Sequence, residues 1–303
     1  MTMIVGVLLA TTLLTSGTHS AGMKDEMGLA RLEVVQSWTL HHHPEAVYSP
    51  EGGGYAYISD MDRLEEGEAR AMEHALHRVN LDTGEVDWNW AEAGVERPLG
   101  IIAYGTTLYV VEGTNSIALY DIDTGARLNR YRVGDIVEGE TPSFFNDLAV
   151  SPEGQIFVTD MRRSRIYALN ADGSYRLLAE DPELLHAVNG LDWYQGRLLA
   201  VTSRDEGRVL SLDPMTGEIT QLAQIEGESF DGIYQDGRGG VFISAIPGKI
   251  YHMNDAHEMR VVEDFVDQNI MANSIGGFDH GNHLLVPHYE GGTVTHYAVS
   301  YRE

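Results

Sequence analysis

The sequence predicts an all-β fold, a six-bladed β-propeller closed by an N-terminal strand. Three observations predict it. Six self-similar segments recur every 42 to 54 residues, a period that marks arrays and propellers. Each joins two short apolar strands across a turn, most of them Gly-rich. Second hairpins with their own turn residues follow, as in "LYDIDTGARLNRY", "IYALNADGSYRLLA" and "VLSLDPMTGEITQLA". Their Asp-Thr-Gly, Asp-Gly and Thr-Gly steps supply the positive φ that tight hairpins need, so each unit reads as four antiparallel strands, one blade.

In chain order, "MTMIVGVLLATTLLTSGTHSAG" comes first. Its apolar run from Ile4 to Leu14 is too short to span a bilayer and suits the core of a signal peptide, although no Lys or Arg precedes it. Residues 1–20 are therefore expected to direct export to the periplasm or medium, with no stable membrane span. "LEVVQSWTL", residues 32–40, is a strand with no hairpin partner of its own, expected to join the sixth unit and close the ring. Residues 32–303 then form a single propeller domain. The six segments are "PEAVYSPEGGGYAYISD", "PLGIIAYGTTLYVVE", "FNDLAVSPEGQIFVTD", "VNGLDWYQGRLLAVTS", "FDGIYQDGRGGVFISA" and "SIGGFDHGNHLLVPH", anchored at Glu45, Leu99, Asn146, Asn189, Asp231 and Ser274. A charged insertion, "MDRLEEGEARAMEHA", lengthens the first interval as a loop or single helical turn over the mouth.

Composition narrows the functional classes. The 303-residue chain carries 46 acidic and 20 basic residues, a net charge of -26, which repels nucleic acid and anionic lipid. It contains no cysteine, so disulfides, thiolate metal sites and cysteine nucleophiles are excluded.

In a propeller the first strand of each blade lines the central channel. Glu45, Asn146, Asn189 and Asp231 sit at equivalent points of their units, so rotation about the axis brings them to one depth. Two carboxylates and two amides meeting there resist joint ionisation unless a cation joins them. An all-oxygen donor set selects a hard divalent ion, Ca²⁺ first, with Mg²⁺ or Mn²⁺ behind it. Asp147, by strand alternation, points away from the axis and orients a ligand. The return strands end at Asp60, Glu112, Asp160, Ser203, Ala245 and His288, expected to wall a pocket around the ion. His288 alone among them offers a neutral base near physiological pH. His41, His42 and His43 on one strand cannot all face one ion.

These residues resemble the senescence marker protein, gluconolactonase and luciferin-regenerating enzyme family, related to diisopropylfluorophosphatase and the paraoxonases. "PEAVYSPEGG", "FNDLAVSPEGQIFVTD", "VNGLDW" and "FDGI" carry the likeness. It implies that Glu45, Asn146, Asn189 and Asp231 hold a catalytic divalent metal, commonly Ca²⁺ or Zn²⁺. It implies a hydrolase acting on a small-molecule lactone or related ester, with Asp231 as general base or nucleophile and His288 assisting proton transfer. Sugar-lactone hydrolases of the family place an Arg two residues before the first metal Asn; this chain has Phe144. An apolar ring there points to a more hydrophobic substrate lying against Phe144 and Asp160. The rival expectation is an exported propeller that binds a ligand or partner without chemistry.

Overall fold

The computed structural model describes residues 30–63, 68, 71–133 and 141–301. The expected signal peptide lies outside the described residues, as does part of the charged insertion, at 64–67 and 69–70. After the leading strand β1 (Ala30–Thr39), the first blade comprises β2 (His43–Tyr48), β3 (Tyr55–Met61), β4 (Ala75–Asn80) and β5 (Val86–Asp87). The second is β6 (Pro98–Tyr104), β7 (Thr107–Glu112), β8 (Ser116–Asp121) and β9 (Arg127–Arg132). The third is β10 (Phe145–Val150), β11 (Ile156–Asp160), β12 (Arg165–Leu169) and β13 (Tyr175–Glu180). The fourth is β14 (Val188–Tyr194), β15 (Arg197–Thr202), β16 (Arg208–Leu212) and β17 (Ile219–Gln224). The fifth is β18 (Ser229–Gln235), β19 (Val241–Ile246), β20 (Lys249–Met253) and β21 (Met259–Asp264).

The sixth sheet holds β22 (Gly276–Phe278), β23 (His283–His288) and β24 (Thr293–Tyr301), with β1 antiparallel to β24 as its outer strand. The ring is thus closed by the N-terminal strand, as the sequence predicts. A 3-10 turn at Val266–Gln268 is the one helical element among the described residues, and no described helix is long and apolar enough to cross a membrane.

Outer hairpins fold locally. Asp213 Oδ1 accepts the amides of Met215 and Thr216, both at 2.9 Å, and Gly217 follows at φ 75°. A Cβ at Gly217 would also stand 2.1 Å from the Leu178 carbonyl of the neighbouring blade. Glycine is demanded there twice, by conformation and by space.

The core lies between blades. Each of six apolar clusters draws on two neighbouring sheets: Phe157 with Leu198 and Leu210, for example, or Phe145 and Val158 with Val111. The sixth cluster joins Leu285 and Val294 to Val47 and Ile58, so the last gap is sealed like the others. Each fully buried Phe in these gaps contributes ~2 kcal/mol or more by area removed from water.

Near the axis a polar device reinforces this packing. Thr159 Oγ1 accepts the amide of Asp147 in its own blade at 3.0 Å and donates to the Asn189 carbonyl of the next at 2.8 Å. Ser59 does the same between Ala46 N and Leu99 O, at 3.0 and 2.8 Å. Ser244 repeats it between Gly232 N and Asn273 O, at 2.9 and 2.6 Å. All three hydroxyls are wholly buried.

Thr159→Val keeps the shape and strands two buried backbone groups, so it is expected to cost about 1–3 kcal/mol in urea denaturation. His296 provides a second test. Burial, and then the nearby His283, push its imidazole down to about 4. The unfolded imidazole takes up a proton below about pH 6.5 that the folded one refuses, so stability falls as pH drops from there toward 4. Between pH 7 and 5 the wild type should lose about 2 kcal/mol from this residue, and His296→Phe should lack that part of the pH slope in parallel denaturation curves.

Candidate functional site

The inner strands do not run evenly past the channel. In blades one to five the ladder between first and second strands shifts register at the anchor: Pro44/Ala46, Pro98/Ile101, Phe145/Leu148, Val188/Leu191 and Phe230/Ile233. Such bulges re-aim side chains and break alternation. They explain why Asp147 departs from its expected outward course. Its carboxylate accepts the Leu191 amide of the next blade at 3.0 Å and the Leu148 amide at 2.8 Å. Glycine follows the anchor in blades four and five because neighbouring strands come very close: a Cβ on Gly190 would lie 2.3 Å from the Asp231 carbonyl oxygen.

The structure sets Asn189 beside Asp231 and Asn273 beside Glu45, and repulsion between Glu45 and Asp231 couples the two pairs. Asn189 Nδ2 donates to Asp231 Oδ1 at 2.5 Å and to Ser203 Oγ at 2.7 Å. Asn273 Nδ2 donates to Glu45 Oε2 at 3.1 Å. Asn146 lies in the strand between, its Nδ2 3.9 Å from Met161 Sδ. The amide nitrogens of Asn146, Asn189 and Asn273 are therefore engaged, and among the described residues none of their oxygens accepts a hydrogen bond. Asp231 Oδ2 and Asn273 Oδ1 are buried with no hydrogen-bond partner among the described residues. A buried oxygen without a donor is costly, and a hard cation is one group that satisfies several of them together.

The electrostatics agree. Burial, with repulsion from Glu45 and Asp147, lifts the Asp231 carboxyl well above its ordinary range. Glu45 is pushed up to about 7, chiefly by burial, although the Arg97 guanidinium and the Asn273 amide oppose the rise. Burial also takes Asp147 and Asp192 to about 7. No three His, Asp or Glu among the described residues cluster as a metal site by themselves, so the donor set fits a cation only with its amides. Beneath it the channel continues as a cavity of about 110 Å³ lined by Asp147, Asp192, Ile101, Ile233 and Ile275. A larger cavity, about 700 Å³, opens beside His41, His74 and His77 and contains none of the anchors.

Further expectations change. The sixth anchor is Asn273, one residue before Ser274. Asn273 O occupies the place of Asn189 O and Leu99 O in the hydroxyl bridges, whereas Ser274 exchanges backbone hydrogen bonds with Glu45 and Val47. The return-strand residues are clamps rather than open walls. Asp60 accepts the His42 amide at 3.2 Å, Glu112 the Glu96 amide at 2.9 Å, and Asp160 the Phe144 amide at 3.0 Å. Asp160 is wholly buried and also takes the Arg163 amide at 3.3 Å, so it fixes the loop that carries Phe144 from within. His288 does the corresponding work in blade six, Nδ1 meeting the Met271 carbonyl at 2.7 Å, and burial lowers its pKa. The neighbouring histidines diverge: His41 packs on Trp88, His42 lies 3.6 Å from Asp62, and His43 stacks on Tyr289.

The rim departs most from expectation. Phe144 is half-buried, and the guanidiniums of Arg97 and Arg162 each lie 4.8 Å from its ring centre. Arg97 is the blade-two counterpart of Phe144: its carbonyl accepts the Gly113 amide as that of Phe144 accepts Met161, both at 2.9 Å. The guanidinium missing from position 144 stands one blade earlier. Its sequence signal, an Arg two residues before the Leu99 anchor, was available in "ERPLG".

A family model described as outer membrane protein assembly factor BamB matches residues 64–222, just over half of the chain. The chain belongs to that family. No curated protein sequence matches it. Among solved structures it is similar to a luciferin-regenerating enzyme, with 14% identity over 89% of this chain and 95% of that one and a TM-score of 0.64. It is similar to the PQQ-bound aldose sugar dehydrogenase of Streptomyces coelicolor, with 16% identity over 91% and 100% of the chains and a TM-score of 0.64. A catalytically inactive virginiamycin B lyase from Staphylococcus aureus with quinupristin gives 12% identity over 89% and 99%, at a TM-score of 0.62. Identities this low show a shared propeller fold, one that other chains use for catalysis.

Removing one of the enclosed carboxylates should stabilise the metal-free protein. Asp231→Asn in EDTA is expected to gain about 1 kcal/mol or more. If the site takes Ca²⁺, a hundredfold excess over its Kd should add about 2.7 kcal/mol to the wild type and little to the variant, read as paired melting curves.

Proposed function

We propose that this propeller is a metal-dependent hydrolase of a lactone or related ester, exported to the periplasm or medium, with Ca²⁺ in its channel and Zn²⁺, Mg²⁺ or Mn²⁺ as substitutes. The observation that carries the reading is the pairing of Asn189 with Asp231 and of Asn273 with Glu45 while Asp231 Oδ2 and Asn273 Oδ1, both buried, find no donor among the described residues. Asn146 completes the set from the adjoining strand. When bound, the ion would polarise the scissile carbonyl and stabilise the negative charge that develops on its oxygen.

The remaining work falls to side chains. Asn189 holds Asp231 by Oδ1 and leaves Oδ2 free, to take a proton from water as general base or to attack the carbonyl carbon as nucleophile. His288, with its Nδ1 proton directed at the Met271 carbonyl, keeps a lone pair on Nε2. Burial holds it neutral, suited to accept a proton. The Phe144 rim and the loop clamped by Asp160 then orient the substrate.

The family match favours a second reading, an exported propeller that binds a protein partner without chemistry, since the family is described by an assembly factor. The two separate on one experiment. Metal analysis of the purified protein is combined with a panel of lactones and aryl esters, with and without EGTA. The hydrolase reading expects stoichiometric divalent metal, turnover abolished by EGTA and restored by Ca²⁺, and a fall of at least about a hundredfold in kcat for Asp231→Asn and Glu45→Gln, with the fold intact. Bound calcium without turnover on any substrate supports the second reading, and turnover indifferent to EGTA removes the metal mechanism.

A further inference from the structure

We propose that Met161 is a peroxide-sensitive modification site, whose sulfoxide grips the side-chain amide of Asn146 and sets that anchor for the cation. The effect on the cation rests on the reading above; the reactivity of Met161 and its hold on Asn146 do not.

The repeat shows what this place in a blade does. Met161 and Ser203 are counterparts on their return strands. The Met161 amide donates to the Phe144 carbonyl at 2.9 Å and the Ser203 amide to that of Ala187 at 3.0 Å, each carbonyl two residues before its anchor. In blade four the Ser203 hydroxyl oxygen accepts Asn189 Nδ2 at 2.7 Å. In blade three the acceptor is a thioether, and Asn146 Nδ2 stands 3.9 Å from Met161 Sδ. Sulfur is a weak acceptor. Asn189 is held twice, by Ser203 and by Asp231, and Asn273 by the Glu45 carboxylate. Asn146 is buried, and its amide nitrogen has this sulfur as its one partner among the described residues.

The chemistry is short. A lone pair on Met161 Sδ attacks one oxygen of a peroxide, the O–O bond breaks and water departs; the thioether is oxidised to a sulfoxide and the peroxide reduced. The new oxygen is a strong acceptor on the atom that already faces Asn146 Nδ2. The weak N–H···S contact becomes N–H···O, the contact that blade four makes through Ser203. Holding the nitrogen fixes the amide plane with Oδ1 on its other side, so less ordering remains when a cation binds. Met161 is half-buried, within reach of a small oxidant, whereas Met253 is sealed in the core. Met72 and Met215 are more exposed, but they lie on the flank cavity and on an outer hairpin, away from the anchors.

The test treats the full chain with hydrogen peroxide in EDTA and locates the added oxygen by peptide mass spectrometry, with Met215 as the internal standard. In protein carrying isotope-labelled asparagine, the side-chain amide proton signal of Asn146 should move downfield on oxidation. Calorimetric titration with Ca²⁺ after removal of EDTA should then show binding at least threefold tighter, and methionine sulfoxide reductase should reverse both changes. Met161→Gln, which carries a permanent oxygen acceptor, should bind Ca²⁺ like the oxidised protein without any peroxide. Met161→Leu keeps every other methionine and should be indifferent to the treatment. A Met161 left intact when Met215 is oxidised, or an Asn146 signal that oxidation does not move, overturns the site. A moved signal with no Ca²⁺ bound by either form keeps the modification site and removes the cation reading. Ca²⁺ bound no more tightly by the oxidised form keeps the cation reading and overturns the coupling to it.

Discussion

The hydroxyl bridge between consecutive blades is the interaction on which the architecture of the channel depends. A bulge in an inner strand frees one backbone amide from its ladder, and in an enclosed position that amide needs an acceptor. Ser59, Thr159 and Ser244 provide it, and their own protons pass to the carbonyl of the next anchor residue. One side chain thus repairs the defect in its own sheet and sets the depth of the neighbouring anchor. Without the bulge an anchor would follow strand alternation; without the hydroxyl, the bulge would leave an unsatisfied group. Apolar packing between blades provides cohesion, while these bridges set the register in which the polar side chains meet.

That register creates an electrostatic conflict. The chain encloses Glu45, Asp147, Asp192 and Asp231 along one channel, and burial raises the pKa of all four. Backbone amides of Leu148 and Leu191 partly compensate Asp147, and Gln235 with the Trp193 amide serves Asp192. Glu45 and Asp231 receive only one side-chain amide each among the described residues, from Asn273 and Asn189. The compensation is therefore uneven. The pair left under-served includes Asp231, whose Oδ2 is buried with no hydrogen-bond partner among the described residues, which is why the cation reading attaches to Glu45 and Asp231 and not to Asp147 and Asp192. Stability alone does not account for such an arrangement, because an apolar replacement would avoid the repulsion.

Much of this was legible in the sequence, for a specific reason. A propeller repeats its geometry, so aligned positions such as Glu45, Asn189 and Asp231 translate directly into spatial neighbours, and "LEVVQSWTL" could be assigned as the closing strand because it lacked a partner. What failed was reasoning at the scale of single residues. The alignment of blade six followed its glycines, Gly276 and Gly277, and so passed over Asn273, whose place is defined by the Ser244 bridge. Alternation sent Asp147 outward because a bulge has no one-dimensional signature. Asp160 read as pocket wall because its amide partners, Phe144 and Arg163, are recognisable only after the loop has folded. The rim is hard to read from sequence because the counterpart of Phe144, Arg97, precedes an apolar anchor, Leu99, that carries no polar signal of its own.

The same repeat separates two kinds of position. At the anchors, amides and carboxylates recur from blade to blade, held by bridges and by buried contacts that tolerate little change. On the preceding residues, the counterparts are Arg97, Phe144 and Ala187, whose carbonyls all accept an amide from the following return strand at 2.9–3.0 Å. One backbone place therefore carries a cation, an aromatic ring and a methyl group in three successive blades. Because the backbone contact is the same in all three, the side chain there can vary without disturbing the ring beneath it. A guanidinium can consequently move from one blade to the next and still overhang the same mouth, as Arg97 does over Phe144. On this architecture the anchors are fixed by buried contacts while the side chain before them is free to vary, with the bulge and its hydroxyl as the joint that lets one change without the other.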